Sequence, residues 1–168
     1  MAAVQAFVAL GANLGDPVRQ VQAGIDALAR LPHTRLCAAS SLWRTAPVGG
    51  AWVAGQPDYI NAVVLLETTL DSLSLLRELQ SLEHAAGRER APDRPMAPRT
   101  LDLDLLTFGD EQSSAPELTL PHPRMHERAF VLAPLCEIAP DYLIPGHDRA
   151  STLLAPLIPC ADQSIQKL

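Results

Sequence analysis

Hydrophobic positions along the chain repeat with two periods, one typical of strands and one typical of helices. Strands are predicted where apolar residues form a short run or alternate with polar ones. The predicted strands are residues 5–10, 34–43, 59–68, 100–108 and 118–120. Apolar residues three and four positions apart predict helices. Two long helices follow the capping residues Asp16 and Asp71, and shorter ones span residues 127–137 and 152–157.

The order of these elements predicts the fold class. Through Phe108 the order is β-α-β-β-α-β, the split pattern of an antiparallel sheet with helices on one face. We expect an α+β, ferredoxin-like sheet with helices packed on it, in a single three-layer-like domain with C-terminal additions. The other face of the sheet is expected to stay available. The 168 residues, 48% of them hydrophobic, suit one domain with a proper core over residues 1–168.

Composition excludes several classes of protein. The net charge of -6 disfavours nucleic-acid binding, because affinity for a polyanion comes chiefly from neutralising its phosphates. The apolar runs are short and the N-terminus lacks the pattern of a signal peptide, so we expect a cytoplasmic protein without membrane contact. The three cysteines lack a Cys-x-x-Cys pair, which argues against a disulfide framework or a zinc site. We also expect a monomer.

Two long segments separate the predicted elements, and one of them is basic. Residues 44–58 and 88–98 are broken by prolines and glycines, and loops of this length are typically functional or disordered. The second segment and the residue after it carry four arginines against two acids, a local charge of +2: Arg88, Arg90, Arg94 and Arg99. Guanidinium groups suit phosphate, although a solvated loop would have the same composition.

Two aspartates stand out in the strand predicted at residues 100–108. Leu101, Leu103 and Leu105 occupy one face of this strand, so Asp102 and Asp104 both lie on the other. At a rise of roughly 3.3 Å per residue their backbones are about 6.6 Å apart, close enough for the carboxylates to hold one or two hard divalent cations. Magnesium is the natural candidate. The alternative is a solvated strand face with no bound metal.

The segment around these aspartates resembles a known family. Arg-Thr-Leu-Asp-Leu-Asp-Leu-Leu at residues 99–106, preceded by Ala97 and Pro98, is similar to the signature of the 6-hydroxymethyl-7,8-dihydropterin pyrophosphokinases. The resemblance covers nearly the whole chain, with further matching blocks at residues 11–16, 43–47, 56–62, 120–123 and 128–130. It implies transfer of pyrophosphate from ATP, as co-substrate, to the hydroxymethyl group of the pterin. The products are AMP and the pterin diphosphate, and the pathway is tetrahydrofolate biosynthesis.

The resemblance also implies a role for each site residue. The catalytic residues are Arg88, Arg99, Asp102 and Asp104, and the two aspartates are the ligands of two Mg²⁺ ions. The ATP-binding residues are Glu83, Arg90, Arg94, Thr119, His122 and Arg128. The pterin-binding residues are Thr45, Val48, Tyr59, Asn61 and Phe130. Two positions depart from the family pattern, since Met96 stands where a tryptophan is common and Glu117 stands where a basic residue occurs.

Two other classes of function remain as alternatives. A ferredoxin-like ligand-sensing module would bind a nucleotide without turning it over, so it would release no AMP. A sugar-nucleotide transferase that uses an Asp-x-Asp motif would need a larger, doubly wound nucleotide domain with parallel β-α alternation. This chain lacks that alternation.

Overall fold

The computed structural model describes residues 2–46, 57–87, 100–158 and 165–168. In these ranges the strands are β1 (Val4–Ala12), β2 (Thr34–Ala39), β3 (Trp43–Thr45), β4 (Tyr59–Thr68), β5 (Asp102–Phe108), β6 (Ser113–Ala115), β7 (Leu118–Leu120) and β8 (Ile165–Lys167). The helices are α1 (Pro17–Ala29), α2 (Ser72–Ala85), α3 (Ala129–Ile138) and α4 (Ala150–Leu154), and a 3-10 turn spans Met125–Glu127. No helix within the described ranges has both the length and the apolar character needed to cross a bilayer.

Six of these strands form one antiparallel sheet around the long central pair β1 and β4. The order is β5-β1-β4-β3-β8. Strand β2 pairs with the same edge of β4 as β3 does, but at the opposite end of β4. Strands β6 and β7 form a separate hairpin. Strand β5, which carries the two aspartates, therefore lies at one edge of the described sheet.

The two long helices begin at the predicted caps and pack on one face of the sheet. Asp16 accepts a hydrogen bond from the backbone N of Arg19 at 3.2 Å, and Asp71 accepts one from Ser74 at 2.7 Å. Such side chains satisfy backbone donors that a helix start leaves unpaired. The core beneath these helices holds alternate residues of the strands together with the helical stripes: Ala6, Val8, Leu10, Leu103, Leu105, Val21, Leu28, Leu75 and Leu79.

A second core covers the opposite face. Phe7, Val63 and Leu106 point to this side and pack with the apolar residues of α3. The sheet thus lies between two helical layers, which confirms the α+β fold and the three-layer arrangement. The expectation that this face stays available is wrong over the middle of the sheet. Helix α3 is apolar around most of its circumference, so it must be buried on several sides.

The strand predicted at residues 34–43 is in fact two strands. Ser40 interrupts it, because its hydroxyl accepts a hydrogen bond from the backbone N of Val63 at 3.0 Å where a backbone carbonyl would normally pair. Strand β3 then begins at Trp43, so Arg44 and Thr45 belong to a strand instead of to the predicted loop.

The predicted ends of the later elements also shift by a few residues. The helix predicted from Glu127 starts at Ala129, because Arg128 has an extended backbone with φ -111° and ψ 107°. The last predicted helix is observed at Ala150–Leu154, and the acid-bearing strand starts at Asp102. Such shifts are usual for element boundaries.

The second core should contribute strongly to stability. Leu132 of α3 is fully buried, whereas Leu143, in the segment that follows, is 62% exposed. We expect Leu132→Ala to lower the free energy of unfolding by about 2 to 5 kcal/mol, as removal of buried methyl groups does. Leu143→Ala, the matched control, should change it by less than about 0.5 kcal/mol. Urea denaturation of both variants checks this, and equal losses would contradict a core on this face.

Candidate active site

Polar side chains from three strands meet on the α3 face at one end of the sheet. Asp102 and Asp104 alternate with Leu101, Leu103 and Leu105, which pack in the core under α1 and α2. The two carboxylates therefore share the opposite face, as predicted. The register pairs Gly11 of β1 with Asp102 on one side and with Asn61 of β4 on the other. Asp102 and Asn61 are thus separated by two strand spacings, about 10 Å.

Two contacts hold the outer edge of β5, the strand that carries the aspartates. Glu83 of α2 is 4% exposed, and its Oε2 accepts a hydrogen bond from the backbone N of Leu103 at 2.8 Å. Farther along, the backbone N of His122 donates to the carbonyl of Leu106 at 2.8 Å. An edge strand has outward-facing backbone groups that need partners. These two contacts supply partners and hold the backbone that carries both carboxylates.

His122 is neutral at physiological pH. Its pKa is lowered to about 4, chiefly by burial and also by the charges of Arg128 and Arg124, while the carboxylate of Asp102 opposes them. Its Nδ1 accepts a hydrogen bond from the backbone N of Arg124 at 3.2 Å, so Nε2 carries the proton. His122 can therefore offer a neutral N–H donor to a ligand. In the free protein it carries no positive charge near pH 7.

Among the described residues, Arg128 contributes positive charge beside the aspartates. Burial is the main cause that lowers its pKa, and the charge of Arg124 lowers it further, whereas the charges of Asp104 and Asp102 raise it. A guanidinium stays charged at all physiological pH values even with such a shift. Its Cζ lies 5.4 Å from the centre of the Phe130 ring, which is cation–π geometry. The residue predicted to bind ATP and the residue predicted to stack on the pterin therefore touch each other.

A buried amide lies on the same face, on β4. Asn61 is 6% exposed and Thr45 is 3% exposed, and Asn61 Nδ2 donates to Thr45 Oγ1 at 2.6 Å. A Cβ placed on Gly11 would lie 2.9 Å from Asn61 Oδ1, which real structures do not tolerate. The glycine and the threonine together fix the orientation of the amide. Tyr59, two residues before Asn61 on the same face, pairs with Thr45.

The remaining predicted residues differ in how the structure places them. Thr119 lies on the hairpin, and its hydroxyl donates to the carbonyl of Ala115 at 3.2 Å. Glu117, which departs from the family pattern, lies 3.8 Å from Arg77 in an exposed ion pair. The other predicted residues lie outside the described ranges, as does Met96: Val48, Arg88, Arg90, Arg94 and Arg99.

The donor set suits magnesium better than a metal that needs many protein ligands. Across the described residues, no group of three or more histidine, cysteine, aspartate or glutamate side chains is placed to hold a metal ion. Magnesium keeps several of its waters and is commonly bound by one or two carboxylates together with substrate phosphates. Asp102 and Asp104 on one face, with Arg128 nearby, fit that description.

A family model described as 7,8-dihydro-6-hydroxymethylpterin-pyrophosphokinase (HPPK) matches residues 7–140. The chain belongs to this family. The HPPK resemblance stated from the sequence motifs is thereby confirmed. A 2-amino-4-hydroxy-6-hydroxymethyldihydropteridine pyrophosphokinase of Pseudomonas aeruginosa is 45% identical over 162 residues, covering 96% of this chain and 95% of the relative. The enzyme of the same name from Haemophilus influenzae is 43% identical over 151 residues, covering 90% and 91%.

Solved structures of HPPK-DHPS proteins have the same fold. One, in complex with substrates, superposes with a TM-score of 0.69 at 11% identity over 95% of this chain. Another, the Plasmodium falciparum A437G variant with STZ-DHP, has a TM-score of 0.70 at 13% identity over 94% of this chain. The HPPK chain spans 44% and 46% of the lengths of those two chains. At this level of identity they support the fold alone.

Some features of this HPPK site were not predicted from the sequence. The motifs included Gly11 and Trp43 but gave them no role, and Glu137 was not singled out. The need for glycine beside Asn61 was missed because the strand predicted at residues 5–10 stops before Gly11, whereas β1 continues to Ala12. The hydrogen bond from the backbone of β5 to Glu83 had no such signal, because it joins residues 20 positions apart.

The titration of His122 tests the electrostatics of the site. In magnesium-free protein we expect its ring to titrate near pH 4, well below the ordinary pKa of 6.5. As pH falls from 6.5 to 4, the unfolded chain binds this proton first, so this group makes folding stability decrease over that window. NMR of the imidazole ring protons measures the midpoint directly. Arg128→Gln should raise the pKa and Asp102→Asn should lower it; a wild-type midpoint near 6.5 would contradict a buried, neutral ring.

Proposed function

We propose that this protein transfers pyrophosphate from ATP to the hydroxymethyl oxygen of 6-hydroxymethyl-7,8-dihydropterin, releasing AMP, in tetrahydrofolate biosynthesis. Membership of the HPPK family supports the reaction. The observation that carries the proposal is that Asp102, Asp104 and Asn61 share one face of the sheet, where Arg128, just before α3, interacts electrostatically with both aspartates. That face combines groups for a metal-bound triphosphate with a buried amide for a planar heterocycle.

Asp102 and Asp104 are proposed to hold two Mg²⁺ ions. Bound magnesium neutralises phosphate charge and aligns the reacting oxygens, which is the main requirement of this type of transfer. The chain contributes by holding the two carboxylates on one face, with β5 fixed from outside by Glu83 and by the backbone of His122. A monomer in the cytoplasm stays a prediction.

The nucleotide is proposed to lie along the β5 side of the site. Arg128 is partly buried and remains cationic, so it can anchor phosphate oxygens in a setting where charge is screened less than in water. His122 adds a neutral N–H donor from Nε2. Arg88 and Arg99 are proposed to stabilise charge that develops in the transition state, and Arg90, Arg94 and Thr119 to contact ATP. The hydrogen bond between Glu83 and the backbone of Leu103 supports an indirect effect of Glu83 on ATP binding, through the position of β5.

The pterin is proposed to lie against β4 and the start of α3. Asn61 is buried and oriented by Thr45, so its amide can read the polar edge of the ring, while Phe130 stacks on the ring face. Tyr59 and Val48 are proposed to line the walls. Since Phe130 touches Arg128, the heterocycle and the phosphates would meet at that pair, next to the aspartates.

The orientation of the amide should decide pterin affinity. Gly11→Ala places a methyl group against Asn61 Oδ1, so we expect pterin binding to weaken by about tenfold or more, because a misaligned buried hydrogen-bonding group loses its partner. ATP affinity should be nearly unchanged. Gly15→Ala is the control, because its added Cβ meets nothing within 4 Å although its φ of +64° makes the backbone strained. Calorimetric titration with each ligand measures both affinities, and unchanged pterin binding in Gly11→Ala would contradict this placement.

The reaction itself is tested by AMP formation from ATP and 6-hydroxymethyl-7,8-dihydropterin with and without magnesium. We expect Asp102→Asn and Asp104→Asn each to lower the rate by at least about 10²-fold, because the amide keeps the volume but loses the charge that binds the cation. Asp110→Asn, an exposed change just beyond the other end of β5, is the matched control and should keep the wild-type rate.

Three outcomes would count against this function. Binding of both substrates by wild-type protein without AMP release would favour a ligand-sensing module. AMP release that does not depend on magnesium would remove the proposed role of the metal. A near-normal rate in either aspartate variant would refute the assignment of that carboxylate.

A further inference from the structure

Glu137, at the C-terminal end of α3, binds donors from two separate parts of the chain. Its two carboxylate oxygens each lie 3.1 Å from the backbone N of Ser41, and its Oε2 accepts from Ser41 Oγ at 2.7 Å. Its Oε1 accepts from the indole Nε1 of Trp43 at 3.0 Å. The ammonium of Lys167 lies 4.0 Å from Oε2. One carboxylate thus joins α3 to the start of β3 and to β8.

These contacts are of the stronger kind. Hydrogen bonds to an ionised acceptor are roughly twice as strong as those between neutral groups. Burial raises the pKa of Glu137, but the hydrogen bonds from Ser41 and Trp43 and the charge of Lys167 outweigh it, so the net pKa lies below its ordinary value. The side chain is 25% exposed, so screening by water is incomplete. Near neutral pH the residue is an anion with its donors in place.

The joined elements are the two walls of the proposed pterin pocket. Helix α3 begins with Ala129 and carries Phe130 in its first turn, seven residues before Glu137. Strand β3 carries Thr45, which orients Asn61. Trp43 is the direct cross-strand partner of Asn61, and such pairs have Cβ atoms about 5 Å apart. A shift of the indole would therefore move the strand that holds the amide.

We propose that Glu137 is a positioning residue for pterin binding, which clamps α3 to β3 and so sets the separation between Phe130 and the Thr45–Asn61 pair. This inference rests on the proposed function. The donors that Glu137 binds lie at the start of β3 and on β8, whereas the aspartates lie on β5. The clamp should therefore act on pterin affinity and much less on the ATP side.

The test compares Glu137→Gln, Glu137→Ala and Trp43→Phe with the wild-type protein. The alanine variant should weaken pterin binding by about tenfold or more, since it leaves three hydrogen-bond donors and the ammonium of Lys167 without their charged acceptor. The glutamine variant keeps one carbonyl oxygen and should lose less. KM for the pterin should rise with affinity while kcat and ATP affinity stay within about threefold, the pattern of an interaction equally strong in substrate and transition state. Glu111→Gln is the control, since Glu111 accepts from Ser72 Oγ at the opposite end of the sheet.

A double-mutant cycle identifies the link. If the clamp acts through the indole, Trp43→Phe combined with Glu137→Gln should weaken pterin binding by less than the two single effects added together. Additive effects would overturn this route. Equal losses of ATP and pterin affinity, or an unchanged pterin affinity in a folded Glu137→Ala protein, would overturn the proposal.

A readout independent of catalysis separates the clamp from the proposed function. The indole N–H of Trp43 should exchange slowly with solvent in wild-type protein and faster in Glu137→Gln and Glu137→Ala, as followed by NMR. Fast exchange in the wild type would refute the clamp even if the enzyme is fully active. Slow exchange in a protein that neither binds pterin nor forms AMP would leave the hydrogen bond intact while refuting both the proposed function and the role in binding.

Discussion

The two-residue period of β5 is the constraint on which the site depends. Because successive side chains of a strand point to opposite faces, three leucines enter the core under α1 and α2, and this forces Asp102 and Asp104 together onto the other side. A slip of one residue would bury both carboxylates and expose the leucines. The apolar core therefore fixes the register of the acids. The same face is covered by α3 farther along, so the acids lie at the margin between a packed layer and solvent.

The charges around this margin are arranged asymmetrically. Among the described residues, the two carboxylates lie near the partly buried guanidinium of Arg128, and the neighbouring imidazole remains neutral because burial and the charges of Arg128 and Arg124 oppose its protonation. Asp102 and Asp104 lie side by side on β5, and like charges placed in this way repel each other. A divalent cation would relieve this repulsion. The cost of holding two aspartates together is thereby linked to metal affinity.

Much of the fold was predictable because it depends on local patterns. The alternation in β5, the apolar run of β4 and the capping residues Asp16 and Asp71 all act within a few residues, and the structure confirms each of them. The features that sequence reasoning missed depend on contacts between distant residues. Ser40 ends β2 through a bond to Val63, and β8 pairs with β3 across more than a hundred residues.

The same distinction applies to the candidate site. Placement of Asp102 and Asp104 on one face followed from their spacing, and the motif match alone was enough to single out Asn61, Phe130 and Arg128. Periodicity could not reveal that His122 is neutral, since its pKa depends on burial and on the charges of Arg128 and Arg124, which the fold places near the ring. It also could not show that Glu83 binds the backbone of β5, because no pattern marks a contact between a helix and a strand edge.

The pairing of β8 with β3 has a consequence for how the protein is made. Trp43, Arg44 and Thr45 find their outer strand partners in Lys167, Gln166 and Ile165, and the backbone N of Leu168 donates to the carbonyl of Leu42 at 2.9 Å. During synthesis the partner strand emerges more than a hundred residues after β3. Contacts so distant in sequence form late and slowly, because a long loop must close first. Strand β3, which orients the amide of Asn61, thus gains its outer pairing partner only after the other strands of the described sheet have been synthesised.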